Sequence, residues 1–189
     1  MSMLTDYMNG LKACCDECLE QSGTIEKIAG LIYDAYRQGK RIFIMGNGGS
    51  ATTAMHFTRD LKIGSAVKGK PRIKVDGLAD NMAVVTSIAN DVDYESIFHH
   101  QLLDNVEKGD VVIAISCSGN SPNVIKAVEY AALQGASTVG ITGFGGGKLA
   151  SISDISLVFV SKDYGPLEDI HMGLGHIISY LVKERIKNG

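Results

Sequence analysis

Two stretches decide the fold. Arg41-Ile42-Phe43-Ile44-Met45 runs into Gly46-Asn47-Gly48-Gly49-Ser50, and Val111-Val112-Ile113-Ala114-Ile115 runs into Ser116-Cys117-Ser118-Gly119-Asn120-Ser121. In each, a short apolar run reads as a buried strand, the small residues as a turn, and the sequence that follows as a helix. Such a turn presents free backbone N–H groups and the positive end of the helix dipole. That is an anion site in outline. The serine hydroxyls add donors at little steric cost. A lone glycine turn is often no more than a tight turn, but Ser116, Ser118 and Ser121 crowd the second one with donors. Two such turns in one sheet suit a ligand with an anionic end and a polyhydroxyl body, such as a sugar phosphate. Neither turn carries the Gly-x4-Gly-Lys pattern of a nucleotide P-loop. Neither fits the dinucleotide Gly-x-Gly-x-x-Gly fingerprint, so no nucleotide cofactor is expected.

Outward from these turns the pattern alternates. Strands are expected at 41–45, 72–75, 111–115, 137–141 and 155–160. Helices are expected at 49–63, 79–88, 94–107, 121–134, 147–151 and 167–187. Five apolar strands alternating with helices predict an α/β fold, a doubly wound parallel sheet. Ligands in such sheets sit beyond the C-terminal strand ends, where both turns fall. Gly143-Phe144-Gly145-Gly146-Gly147 reads as a flexible loop at a third strand end. Before the first strand, two helical stripes run from Leu4 to about Gln21 and from Thr24 to Gly39, with Gly23 as the break. They have no sheet partner of their own in sequence and are expected to pack on another subunit. One domain over 1–189 follows, with a helical oligomerisation segment at 1–38 and an α/β core at 39–189.

Composition excludes several classes. The 189 residues carry a formal net charge of −3, with scattered lysine and arginine, so no nucleic-acid footprint is expected. No apolar run reaches membrane-spanning length. The first residues show no basic and apolar signal-peptide pattern, and a cytoplasmic location is expected. Of four cysteines, Cys15-Asp16-Glu17-Cys18 is formally a C-x-x-C. No second pair stands at zinc spacing and no strand precedes it, so unpaired thiols on a helix are expected.

His56 and Asp60 are four residues apart on the helix opened by the first turn, hence on one face. Glu168, His171 and His176 lie on the last helix. Two imidazoles and two carboxylates are the ligand types of a zinc or other divalent site. The same residues also fit a surface His–Asp pair and stray helix histidines. Glu168 and His176 are about 12 Å apart along an ideal helix, so both reach one ion only through an irregular helix start or two subunits.

The chain resembles the sugar isomerase (SIS) domain family, of the phosphoheptose isomerase type. The resemblance rests on residues 46–51, Met55-His56-Phe57, Ile88-Ala89-Asn90-Asp91, residues 116–121, Asn123-Val124-Ile125-Lys126-Ala127, and Glu168 to His176. It implies conversion of sedoheptulose 7-phosphate to glycero-manno-heptose 7-phosphate by a homotetramer, often with zinc. It implies substrate contacts from Asn47, Gly48, Gly49, Ser50, Asn90, Asp91, Ser116, Cys117, Ser118, Ser121 and Glu168. It places His56, Asp60, Glu168 and His176 at metal and acid/base positions. Asp60 is the expected base and His176 the expected acid of an enediol isomerisation. The chain departs from the family in having Asp60 for Glu, Glu168 for Gln, Cys117 for the more common Thr, and no acidic residue at Gly165. The alternative is a non-catalytic SIS module that senses phosphosugars or scaffolds other proteins; such a module needs none of Asp60, Glu168 and His176.

Overall fold

The structure is a computed structural model that describes residues 2–189. Its centre is a parallel sheet of β1 (Arg41–Gly46), β2 (Lys74–Gly77), β3 (Val111–Ser116), β4 (Ser137–Thr142) and β5 (Ile155–Val158), in the order β2-β1-β3-β4-β5. The central strands β1, β3 and β4 are buried along nearly their whole length because helices cover both faces. Side chains alternate between the two layers. Ile42, Ile44, Ile113 and Ile115 face one core, Phe43, Met45, Val112 and Ala114 the other.

The first core is closed by α2 (Ser22–Arg37), α3 (Gly49–Arg59) and α8 (Tyr164–Asn188). The second is closed by α4 (Met82–Asp91), α5 (His99–Leu102), α6 (Pro122–Leu133) and α7 (Gly147–Ile152). α2 buries Ile25, Ile28, Ala29, Ile32 and Ala35 in its own chain's core. The expectation that the N-terminal helices lack an intrachain face therefore fails for α2, and α1 (Met3–Glu20) also has one, against the start of α8, where Gly10 meets Pro166 and Tyr7 Oη donates to Asp169. α1 buries Cys14 and Cys18 and leaves Met3, Leu4, Met8 and Leu19 exposed.

Several boundaries differ from expectation for identifiable reasons. The first helical break is at Gln21, not Gly23. The Gln21 side chain donates to the Val158 carbonyl at 3.0 Å and accepts from the Val158 N–H at 3.1 Å, covering the edge of β5. α4 starts late because Asn81 caps it, accepting from the Ala83 and Val84 N–H groups. The helix expected at 94–107 is only a 3₁₀ turn at Tyr94–Ser96 and the single turn of α5. Asp104 at φ +58° turns the chain out of the helix. After Arg59, the helix of α3 widens into a π-helical turn, Asp60–Gly64.

The strand order reverses between β1 and β3, the position at which ligands bind in open α/β sheets. Gly46 of β1 pairs in register with Ile115 of β3. The two turns read from sequence therefore leave the sheet side by side.

Candidate active site

The serine turn closes on itself. The hydroxyls of Ser116 and Ser121 are 3.3 Å apart, the Gly119 N–H donates to Ser116 Oγ, and the Asn120 N–H donates to Ser118 Oγ. Ser121 precedes α6 and Pro122 opens it, so a helix N-terminus points back at the turn. Across the cleft, Gly48 at φ +55° lets the chain reverse into α3. A cavity of about 170 Å³ lies between, lined by Asn47, Ser50, Ser116, Cys117, Ser118, Ser121, Tyr164 and Glu168. Burial pushes the Cys117 thiol up, which keeps it a neutral thiol beside Ser50 Oγ at 3.9 Å.

The 143–147 loop, expected to be flexible, is the packed support of this turn. Leu149 N–H donates to the Gly119 carbonyl, Lys148 N–H to Asn120 Oδ1, and Gly143 N–H to the Cys117 carbonyl. Gly119 and Gly147 both have positive φ, and a Cβ on either would strike the other strand of the loop pair. Tyr164 and the supporting role of this loop were not expected from the sequence. The glycine run was its only signal, and glycine runs read equally as slack or as close packing.

α3 and α8 lie side by side. A Cβ at Gly49 would overlap the Glu168 carboxylate, and Gly175 packs on Phe57. Further along, the π turn carries Asp60 against His176. Asp60 Oδ2 is 2.8 Å from His176 Nδ1 and 3.3 Å from His56 Nε2. Asp60 Oδ1 accepts from Arg59 Nη1 at 2.7 Å. Asp60 is only 5% exposed, whereas both histidines are about two-fifths open. Despite these approaches, Asp60 Oδ2 and His56 Nε2 have no hydrogen bond of good geometry. One ligand atom from each of the three residues lies within 4.8 Å of the others. Buried atoms that converge without pairing fit a shared cation, and a His₂Asp set suits zinc.

The structure thus brings together His56, Asp60 and His176. It places Glu168 at the serine-turn cavity, beside Gly49 and apart from that cluster. Asn90 and Asp91 are exposed at the end of α4, with Asn90 Nδ2 donating to Asp91 Oδ1, and do not line this cavity. His171 lies on α8 but is buried against Phe159. Among the described residues, no helix is long and apolar enough to cross a membrane.

The chain matches the SIS domain over residues 6–143. It is 35% identical to phosphoheptose isomerase of Citrifermentans bemidjiense over 188 residues, 97% of each chain. It is 39% identical to that of Thermodesulfovibrio yellowstonii over 165 residues, 87% of this chain and 82% of the relative. The solved structure of phosphoheptose isomerase from Neisseria gonorrhoeae is similar with a TM-score of 0.87 at 25% identity, covering 96% of each chain. With the two turns at the sheet's switch point and near full-length similarity, the chain belongs to the SIS domain family and, within it, to the phosphoheptose isomerases.

Proposed function

We propose that this protein interconverts sedoheptulose 7-phosphate and glycero-manno-heptose 7-phosphate. The observation that carries the reading is the convergence of Asp60 with His56 and His176 on the helix pair that flanks the serine-turn cavity.

Aldose–ketose isomerisation moves a proton between adjacent carbons through an enediol. It needs a base on carbon, an acid at the carbonyl oxygen, and a fixed substrate. The phosphate takes the serine turn, held by Ser116, Ser118 and Ser121 and by the N-terminus of α6. Asn47, Gly48, Gly49 and Ser50 take the adjoining part of the sugar, with Cys117 and Glu168 on the cavity wall. Asn90 and Asp91 would join only through closure or a neighbouring subunit. Asp60 removes the proton from C1 of the ketose and returns it at C2. His176 exchanges the proton of the carbonyl oxygen. A zinc or other divalent ion held by His56, Asp60 and His176 would supply Lewis-acid polarisation of the carbonyl. Glu168 as a fourth ligand would require its carboxylate to leave Gly49 or to serve a neighbouring subunit's ion.

The exposed apolar side of α1, with Met3, Leu4 and Met8, supports a homo-oligomer, proposed as a tetramer. In this reading the oligomerisation segment narrows from 1–38 to α1. The chemistry is that of a cytoplasmic metabolic enzyme. Sedoheptulose 7-phosphate incubated with the metal-loaded protein is expected to yield the aldose. Tight binding without turnover would favour the non-catalytic module instead.

A further inference from the structure

Asn123 is among the few polar side chains buried in this protein, 1% exposed in the first turn of α6, and the steps above leave it without a role. Its Oδ1 accepts from the Val124 N–H at 3.0 Å, an N–H shared with the Ser121 carbonyl. A backbone N–H can only donate, so this contact fixes which end of the Asn123 amide is oxygen. Asn123 then faces Asn47 in a reciprocal amide pair. Asn47 Nδ2 donates to Asn123 Oδ1 at 2.8 Å, and Asn123 Nδ2 donates to Asn47 Oδ1 at 2.9 Å. Tyr94 Oη donates to the same Asn47 Oδ1 at 3.1 Å.

The inventory of Asn47 is then nearly spent. A side-chain amide has two donor protons and two acceptor lone pairs. Both acceptor positions and one proton are engaged by Asn123 and Tyr94. One Nδ2–H remains, on a residue that lines the serine-turn cavity. We propose that Asn123 is a positioning residue that locks the Asn47 amide so that it offers the ligand one N–H donor and no acceptor. The matching ligand atom is an acceptor oxygen, of a phosphate or of a hydroxyl whose own proton is directed elsewhere. The pair also ties the first glycine turn to the helix that follows the serine turn, so one orientation is imposed on both sides of the cleft. The inference rests on the reading of the cavity as the sugar-phosphate site.

The test is a double-mutant cycle on the full chain, with sedoheptulose 7-phosphate binding measured by calorimetry and kcat and KM measured alongside. Asn123→Ala is expected to weaken binding about tenfold, the scale of one well-placed hydrogen bond, and to raise KM with little change in kcat. In an Asn47→Ala background the same change should have no further effect on binding. Unchanged affinity in Asn123→Ala, or losses that add in the double variant, would overturn the proposal. A second measurement needs no variant and no ligand. In ¹⁵N-labelled wild-type protein, one Asn47 side-chain proton should exchange slowly with solvent and the other fast. Two equally fast protons would overturn the locked amide whatever the substrate. A protected proton in a protein that binds no sugar phosphate would instead sink the reading of the cavity, and the ligand role of Asn47 with it.

Discussion

Asp60 Oδ2 approaches His176 Nδ1 to 2.8 Å, joining residues that the sequence separates by most of its length. The approach depends on two helices. α3 gives way to a π turn that begins at Asp60, and α8 lies beside it closely enough that Gly175 packs on Phe57. With His56 one turn earlier, the three side chains converge at the end of a helix, one ligand atom of each within 4.8 Å of the others, the arrangement proposed above as the cation site. π turns concentrate at functional sites for this reason: one extra residue re-aims a side chain.

Metal content follows from that cluster. Purified wild-type protein supplied with zinc should hold about one ion per chain, and both His56→Ala and His176→Ala should lose it by elemental analysis. Zinc should raise the melting temperature of the wild type and of neither variant. Equal zinc-induced stabilisation in all three would place the ion elsewhere.

Asp60→Asn keeps shape and removes basicity. Turnover should fall about 10²-fold or more while sugar-phosphate binding persists. The double variant with His176→Ala should be little worse than either single, because the two act as a unit. Elemental analysis of Asp60→Asn separates its roles as ligand and as base. Full turnover with unchanged metal would remove Asp60 as the base.

The serine turn, not the lysines of the 66–70 connector, should hold the phosphate. Ser118→Ala and Ser121→Ala are each expected to weaken sugar-phosphate binding about tenfold by calorimetry. Lys68→Ala should bind as the wild type does. The opposite pattern would move the phosphate site.

Gly49 owes its identity to Glu168. Gly49→Ala would drive a Cβ into the Glu168 carboxylate and is expected to cost about 1–3 kcal/mol of stability. Shortening the opposing side chain in Gly49→Ala/Glu168→Ala should restore much of it. Thermal unfolding of the two variants reads this directly, and an equal loss in both would mean that the clash is not the cause.

Stability should also depend on pH through His171. Neither ring nitrogen makes a hydrogen bond of good geometry, and burial, opposed by the nearby Thr142 backbone, pushes its pKa down to about 4. In the unfolded chain it titrates near 6.5. Between these values the unfolded state binds the extra proton, so stability falls as pH drops from about 6.5 towards 4, by on the order of 3 kcal/mol in full. Above about pH 6.5 the effect vanishes. His171→Leu should flatten the melting-temperature profile across that window, and an unchanged slope would assign acid sensitivity to other groups.

How much of this was legible in the sequence varies with the physics involved. The sheet and both turns were, because buried parallel strands read as unbroken apolar runs and glycine–serine turns have few other uses at a strand end. The α2 face was not. Its stripe of Ile25, Ile28 and Ile32 says that something is buried, not whether the cover is the chain's own sheet or another subunit. The irregular 94–110 stretch was missed because its apolar residues, Ile97, Phe98, Leu102 and Val106, are buried without a regular helix. His56 and Asp60 were legible as an i,i+4 pair and His176 as a candidate ligand on the last helix, but no local spacing says that His176 meets Asp60. Asn123, Tyr94 and the packed 143–147 loop act through contacts between distant segments, which no local pattern encodes.

The central claim is an enediol isomerisation carried by Asp60 and His176. The most direct test is NMR of sedoheptulose 7-phosphate incubated with the metal-loaded protein in deuterium oxide. Aldose phosphate carrying deuterium at C2, together with ketose deuterated at C1, is the predicted result, and both signals should be lost in Asp60→Asn. Sugar phosphate that binds the wild-type protein, yet neither isomerises nor exchanges a carbon-bound proton, would contradict it.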